Sequence, residues 1–193
     1  MLKLVTSALV FFASLPVLAS TWEIDKAHSE VMFTARHLKF AKVRGNFRVW
    51  SGTAVIDEKD PSKSSVEVKF DIASIDTDNE MRDTHLKSAD FFDVAKFPTA
   101  TFKSTRLEKI KDGFVRVTGN LTIKDVTKPV TFQMEMSPEY KDPRGNPHIA
   151  FQDGKVTIVR QDYGLMWGKA VEGVGVVSDE IELDIGVELK NKK

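Results

Sequence analysis

EIELDIGVEL, residues Glu180 to Leu189, decides the fold. Ile181, Leu183, Ile185, Val187 and Leu189 fall on one side of an extended chain, and Glu180, Glu182, Asp184 and Glu188 on the other. Strand side chains alternate between faces, so this segment has one apolar face and one wet face. The same period recurs upstream. Val31, Phe33 and Ala35 alternate with Met32, Thr34 and Arg36, and Phe47 and Val49 with Asn46, Arg48 and Trp50. Val66, Val68, Phe70 and Ile72 form another such row, as do Val130, Phe132, Met134 and Met136. Gly52 reads as a bend before Thr53 to Asp57. Asp112-Gly113, between Thr99–Lys109 and Phe114–Ile123, marks a hairpin because its turn needs positive φ. Asp153-Gly154 suggests a second, between Ile149–Gln152 and Lys155–Arg160. Eight or nine such strands with short connections imply an all-β antiparallel fold, either a sandwich or a closed barrel. A barrel of about eight strands holds side chains or one small ligand. A membrane barrel would turn its apolar residues outward.

One stretch breaks the period: IDTDNEMRDTHLKSADFFDVAKFPTATF, Ile75 to Phe102. Thr77 and Glu80 have capping-box spacing, acids come early, and Phe91, Phe92 and Phe97-Pro98 close the segment. A short helix is expected here, an insert that does not suit the short periplasmic turn of a membrane barrel. Asp83 is placed to pair with Lys87 at i,i+4. His85 suits either a hydrogen-bonded rim position or a ligand head contact. Ser137 to His148, with three prolines, reads as an irregular loop. Gln161 to Asp179 carries Gly164, Gly168, Gly173 and Gly175 among apolar residues. It is either a lid over a cavity or a twisted strand pair with bulges.

The first 19 residues have the form of an export signal. Lys3 precedes the apolar run Leu4 to Leu15, Pro16 breaks it, and Val17-Leu18-Ala19 suits a cleavage site. The run is too short to span a bilayer as a helix. The mature domain then runs Ser20 to Lys193 and is expected in the periplasm. Cleavage removes only Lys3 from 28 basic and 28 acidic residues, leaving an acidic excess of one. That balance argues against nucleic acid as a partner. Lys190, Lys192 and Lys193 read as a solvated end. Zero cysteines exclude a disulfide framework, thiol catalysis and thiolate metal sites.

Motifs for chemistry are sparse. His28, His37, His85 and His148 lack metal-pair spacing, so no metal site is expected. Asp25, His28 and Ser29 contain the residue types of a hydrolytic triad, but no nucleophile setting surrounds Ser29. A hydrogen-bonded corner is the better reading. No phosphate loop is present. No catalytic residue and no cofactor are assigned. Phe33, Phe47, Phe70, Phe102, Phe132 and Met134 lie on apolar strand faces. They fill a sandwich core or line a barrel cavity, depending on the closure.

The chain resembles the YceI-like family of bacterial exported proteins. The likeness runs through Trp22-x-Ile24-Asp25-x-x-His28-Ser29-x-Val31-x-Phe33, Arg36-His37-Leu38 and Val43-Arg44-Gly45-x-Phe47. It continues in Ile75-Asp76-Thr77, Met81-Arg82-Asp83-x-His85-Leu86, Asp90-Phe91-Phe92-Asp93 and Phe97-Pro98. Gly119-x-Leu121-Thr122-Ile123, Val126-Thr127-Lys128-Pro129-Val130 and Arg160-x-Asp162-Tyr163-Gly164 complete it. The resemblance implies an eight-stranded lipocalin-like antiparallel barrel with a short helical insert. It implies binding of a long isoprenoid or acyl lipid as a periplasmic carrier or store, near quinone or stress physiology, rather than an enzyme.

On that basis Phe33, Phe47, Phe70, Phe102, Phe132 and Met134 are the expected tail contacts, and Arg36, His37, Arg44 and His85 the head contacts. A rival reading makes Asp83, His85 and His37 acid–base groups acting on a lipid or quinone-like substrate. Another has Leu165 to Trp167 dock on a membrane redox protein. Contact with the membrane and a homodimeric state are further expectations. The signal reading predicts that protein recovered from an export-competent bacterium begins at Ser20 by intact mass. A chain retaining Met1 would refute it.

Overall fold

The computed structural model describes residues 20–57, 60–168 and 175–191. The export segment, Gly173, Lys192 and Lys193 lie outside these. The strands are β1 (Ser20–Ile24), β2 (Glu30–His37), β3 (Ala41–Phe47), β4 (Trp50–Ile56), β5 (Ser65–Asp71), β6 (Ile75–Asp76), β7 (Thr99–Lys111), β8 (Phe114–Ile123), β9 (Val126–Met136), β10 (Tyr140–Lys141), β11 (Pro147–Val159) and β12 (Glu180–Asn191). Helix α1 (Glu80–Lys87) follows β6. β1 with β2, β3 with β4, and β5 with β6 act as three broken but continuous wall positions. With β7, β8, β9, β11 and β12 they make eight antiparallel positions in up-and-down order. β12 pairs with β11 on one edge and with β1 and β2 on the other, which closes the sheet. The barrel alternative holds and the sandwich does not.

Two local readings are corrected. Gly52 is not the bend; the break lies at Arg48–Val49, between β3 and β4. Phe47 faces inward, and after the break Trp50 does as well, 9 % exposed, while Val49 is 56 % exposed. An irregularity that shifts the pairing by one residue exchanges faces downstream. Likewise Asp153-Gly154 is no hairpin. β11 runs straight through it, with a bulge between Phe151 and Gly154 and Asp153 at φ 56°. The uninterrupted partner β12 leaves room for an extra residue but not for a reversal. Asp112-Gly113 does turn, with Gly113 at φ 75°.

The insert also differs in detail. Asn79, not Thr77, caps α1, its side chain accepting from Arg82 N–H at 2.9 Å. Thr77 N–H and Oγ1 donate to Asp83 Oδ1 at 3.0 and 2.5 Å, so Asp83 is tied to β6's end rather than to Lys87. This tether sets α1 across one end of the barrel. The Asp25 corner forms as expected. His28 Nδ1 lies 3.1 Å from Asp25 Oδ2, and Ala27 N–H donates to Asp25 Oδ1 at 3.0 Å. Ser29 Oγ is engaged with the Glu188 backbone, accepting from its N–H at 2.9 Å.

The interior holds two apolar clusters. One, at the end away from α1, includes Trp22, Ile56, Val115 and Ile149; the other, beneath α1, includes Phe91, Ile123, Ile158 and Leu165. The outward positions of β12 are Glu180, Glu182, Asp184 and Glu188, so the barrel is wet outside and apolar inside, the reverse of a membrane barrel. Trp22 is fully buried and its Nε1 donates to Ser20 Oγ at 2.7 Å. Trp22→Ala is expected to cost about 3–5 kcal/mol, read as a lowered denaturant midpoint with unchanged slope. A loss below about 1 kcal/mol would show that this floor residue is not part of the folded core.

Candidate ligand cavity

The glycines of two strands explain why the lumen is not filled. A Cβ on Gly45 would come within 2.5 Å of Phe33 Cζ, and one on Gly119 within 2.5 Å of Phe102 Cζ. Both ring edges thus come up against bare backbone, in space that a side chain at either glycine would take. Space remains in three neighbouring parts that share wall residues.

The deepest part, about 120 Å³, is lined by apolar side chains alone, among them Trp50, Phe70, Phe102, Phe132, Met134 and Phe151. The middle part, about 150 Å³, shares Val31, Phe70, Leu121 and Leu183 with it and adds Phe33, Phe47 and Phe92. Arg160 is the one charged residue on its wall among the described residues. The outermost part, about 510 Å³, shares Phe33, Ala35, Leu86 and Phe91 with the middle and opens beside α1. Its wall includes Arg36, His37, Thr77, Asn79, Arg82 and His85. An aromatic chain links the parts: Phe47 lies 5.9 Å from Phe33, 5.7 Å from Phe70 and 6.1 Å from Phe92 between ring centroids.

The six expected tail residues therefore sit in order along one lumen, Phe132 and Met134 deepest and Phe33 and Phe47 nearer the opening. Arg36, His37 and His85 reach the mouth. Arg44 does not join them: it is exposed on the outer wall and lines none of the three parts. His85 Nε2 lies 3.0 Å from Asp90 Oδ2, and its ring meets Phe91 and Trp167 edge-on, each at 5.0 Å. Asp83, occupied by Thr77, is off the cavity wall, and no acid–base group reaches the apolar floor. Leu165 is buried beneath the mouth and Trp167 packs on His85, so of the three expected docking residues only Met166 is well exposed.

Trp50, Phe151, Phe92, Trp167 and Arg160 are wall residues that strand periodicity did not single out. Arg160 matters most. It is 3 % exposed, and its Nη1 donates to Leu165 O at 2.5 Å and to Trp167 O at 2.9 Å. Its Nε donates to Ser178 O at 2.9 Å, and Nη2 reaches Val177 O at 3.4 Å and Asp179 at 3.5 Å. Burial pushes its pKa down from the ordinary arginine value, while Asp179 pushes it back up. One guanidinium thus holds both described ends of the segment expected as a lid. Gly164 and Gly168, at φ 74° and 81°, supply its bends. After them, residues 176–178 join the end of β2 through Leu38 N–H to Val176 O and Ser178 N–H to Arg36 O.

The fold also gathers a polar group that spacing concealed. Asp25, His148 and Glu188 each bring a ligand-type atom within 4.8 Å of the others on the outer wall. His148 Nδ1 lies 2.7 Å from Glu188 Oε1, and the Tyr140 ring stacks on His148 at 5.7 Å. Burial raises the Asp25 pKa, but the hydrogen bonds from His28 and Ala27 and the charge of Lys190 outweigh it and hold it below the usual carboxylate value. These contacts fasten β10 and the Asp25 corner to β12.

Arg160→Ala is expected to lose about 3 kcal/mol, because several buried carbonyls lose their donor. Arg160→Lys should recover little, since a point donor cannot serve carbonyls on both sides. Thermal melts, with protease sensitivity of residues 161–179, check this. Wild-type melting of Arg160→Ala would overturn the clamp.

The YceI-like domain model matches residues 22–189. Protein YceI of Salmonella newport is 38% identical over 186 residues, covering 95% of this chain and 93% of that protein, and that of Salmonella arizonae matches equally. Among solved structures, the Campylobacter jejuni YceI protein is similar at a TM-score of 0.70 with 33% identity, covering 88% of this chain and 96% of that one. BcnA of Burkholderia cenocepacia shares the fold at a TM-score of 0.75 with 24% identity, covering 86% and 98%. A Saccharophagus degradans polyisoprenoid binding domain, implicated in plant cell wall breakdown, shares it at 0.66 with 17% identity, covering 91% and 100%. With its strand order closed as a barrel and its motifs matched from end to end, the chain belongs to the YceI-like family.

Proposed function

We propose that this protein is a binding protein that holds one long isoprenoid or acyl chain in the barrel, as a carrier or store in the periplasm after cleavage near Ala19. The observation that carries this reading is the polarity gradient of the lumen. Its deep end is wholly apolar, and its polar and charged wall residues gather at the opening. That is the complement of an amphiphile with a long tail and a polar head. Each methylene buried contributes about 0.8 kcal/mol, so the tail supplies affinity with little regard to its detail. Arg36, His37, Arg82 and His85 are the head contacts, chosen because they line the mouth. The polyisoprenoid-binding neighbour supports the ligand class through a shared fold.

The enzyme reading has less support. Its acid–base groups lie at the rim or off the wall, remote from the reach of a tail.

Native mass spectrometry of protein purified from periplasm is expected to find a bound lipid, released on denaturation. Ligand-free protein in every preparation would refute the proposal. Val31→Trp, placed where the middle and deep parts meet, is expected to shorten the longest chain retained while leaving short chains bound. Unchanged chain lengths would mean that the tail does not occupy the deep part.

A further inference from the structure

The hairpin between β2 and β3 rises beside the mouth. Its two turn residues, Leu38 and Lys39, both have positive φ, 48° and 69°, and Phe40 N–H closes the turn on His37 O at 3.1 Å. Asparagine and glycine serve such positions with least strain. Here an apolar and a basic side chain occupy them, and the apolar ones face water. Leu38 is 42 % exposed and Phe40 85 %, and Met81, on α1 at the mouth, is 83 % exposed. Ala41, directly after Phe40, and Met81 both line the opening. Exposed apolar side chains therefore flank the one polar end of the lumen.

The chain through this hairpin carries charge of one sign. From Val31 to Ile56 the chain carries Arg36, Lys39, Lys42, Arg44 and Arg48 and no acidic residue, in a protein whose net charge is zero. Arg36 is paired with Glu182 and Arg48 with Asp76. Lys39, Lys42 and Arg44 form no salt bridge with a carboxylate among the described residues. Apolar tips backed by basic side chains match the interface of an anionic bilayer, where the tips enter the acyl boundary and the cations meet headgroup phosphates.

We propose that the mouth docks on an anionic lipid bilayer through this hairpin. Leu38 and Phe40 enter the interface, and Lys39, Lys42 and Arg44 contact the headgroups. A chain then passes between bilayer and lumen without crossing water. The transfer step rests on the lipid-cavity reading above; the docking step does not.

The test uses the mature protein with vesicles of phosphatidylcholine, alone or mixed with phosphatidylglycerol. The protein is expected to sediment with the mixed vesicles, and less so as salt rises. Leu38→Ser combined with Phe40→Ser should lower that partition roughly tenfold and slow transfer of cis-parinaric acid from vesicles to the protein in proportion. Equilibrium binding of cis-parinaric acid added without vesicles should be unchanged. Lys39→Glu combined with Lys42→Glu should abolish the preference for anionic vesicles. Equal partition onto both vesicle types, or wild-type partition by the serine variant, overturns the proposal. So does a wild-type dimer that the serine variant dissolves, since the hairpin would then be an interface between copies. If wild-type protein fails to bind cis-parinaric acid, the cavity reading falls, while vesicle sedimentation still decides docking.

Discussion

The register between β11 and β12, from His148 opposite Lys190 to Val159 opposite Glu180, is the constraint on which the rest depends. Without it, β11 and the last strand would be free edges and the apolar faces of all the strands would meet water. With it, every inward row points at the same axis. β12 carries most of this load. One of its edges is taken by β11, and the other is divided between β1 near its end and β2 near its start. The Asp25 corner marks the point of division, and Ser29 fastens it to the backbone of Glu188.

Closure alone would give a filled core as readily as a cavity. Backbone without side chains at Gly45 and Gly119 lets Phe33 and Phe102 lie against the wall. Arg160 contributes near the mouth by holding residues 165–167 and 177–178 together, so backbone carbonyls from both stretches are bound to one cation. Burying a guanidinium is costly unless its donors are satisfied. Here they are spread over Leu165, Trp167, Val177 and Ser178, and that is why a charge stands in an apolar wall.

Much of this was legible in the sequence because a half-buried strand writes its geometry as a period of two. Rows such as Ile181 to Leu189 placed their residues correctly on the lumen side. Single-residue irregularities leave no such mark. Trp50 looked outward in an unbroken alternation, and only the break at Arg48–Val49 turns it in. Asp153-Gly154 carries the same dipeptide as Asp112-Gly113, yet it becomes a bulge because its partner strand is continuous. At the site, the six expected tail residues line the interior as their strand faces implied, whereas Arg44 lay one residue from the inward row and faces solvent. Arg160 was visible only as part of a motif, since its role depends on carbonyls that come together after folding.

The floor of the lumen has a kinetic consequence. Trp22, Ile56, Val115 and Ile149 are buried at the end away from α1 and line none of the cavity, so the tube is blind. A chain held as proposed must leave along the path by which it came, polar end first. Withdrawal into water would expose its methylenes one after another, and each slows escape by roughly fourfold. Residence in such a tube is therefore set by tail length, and a long tail is effectively locked unless another apolar phase receives it.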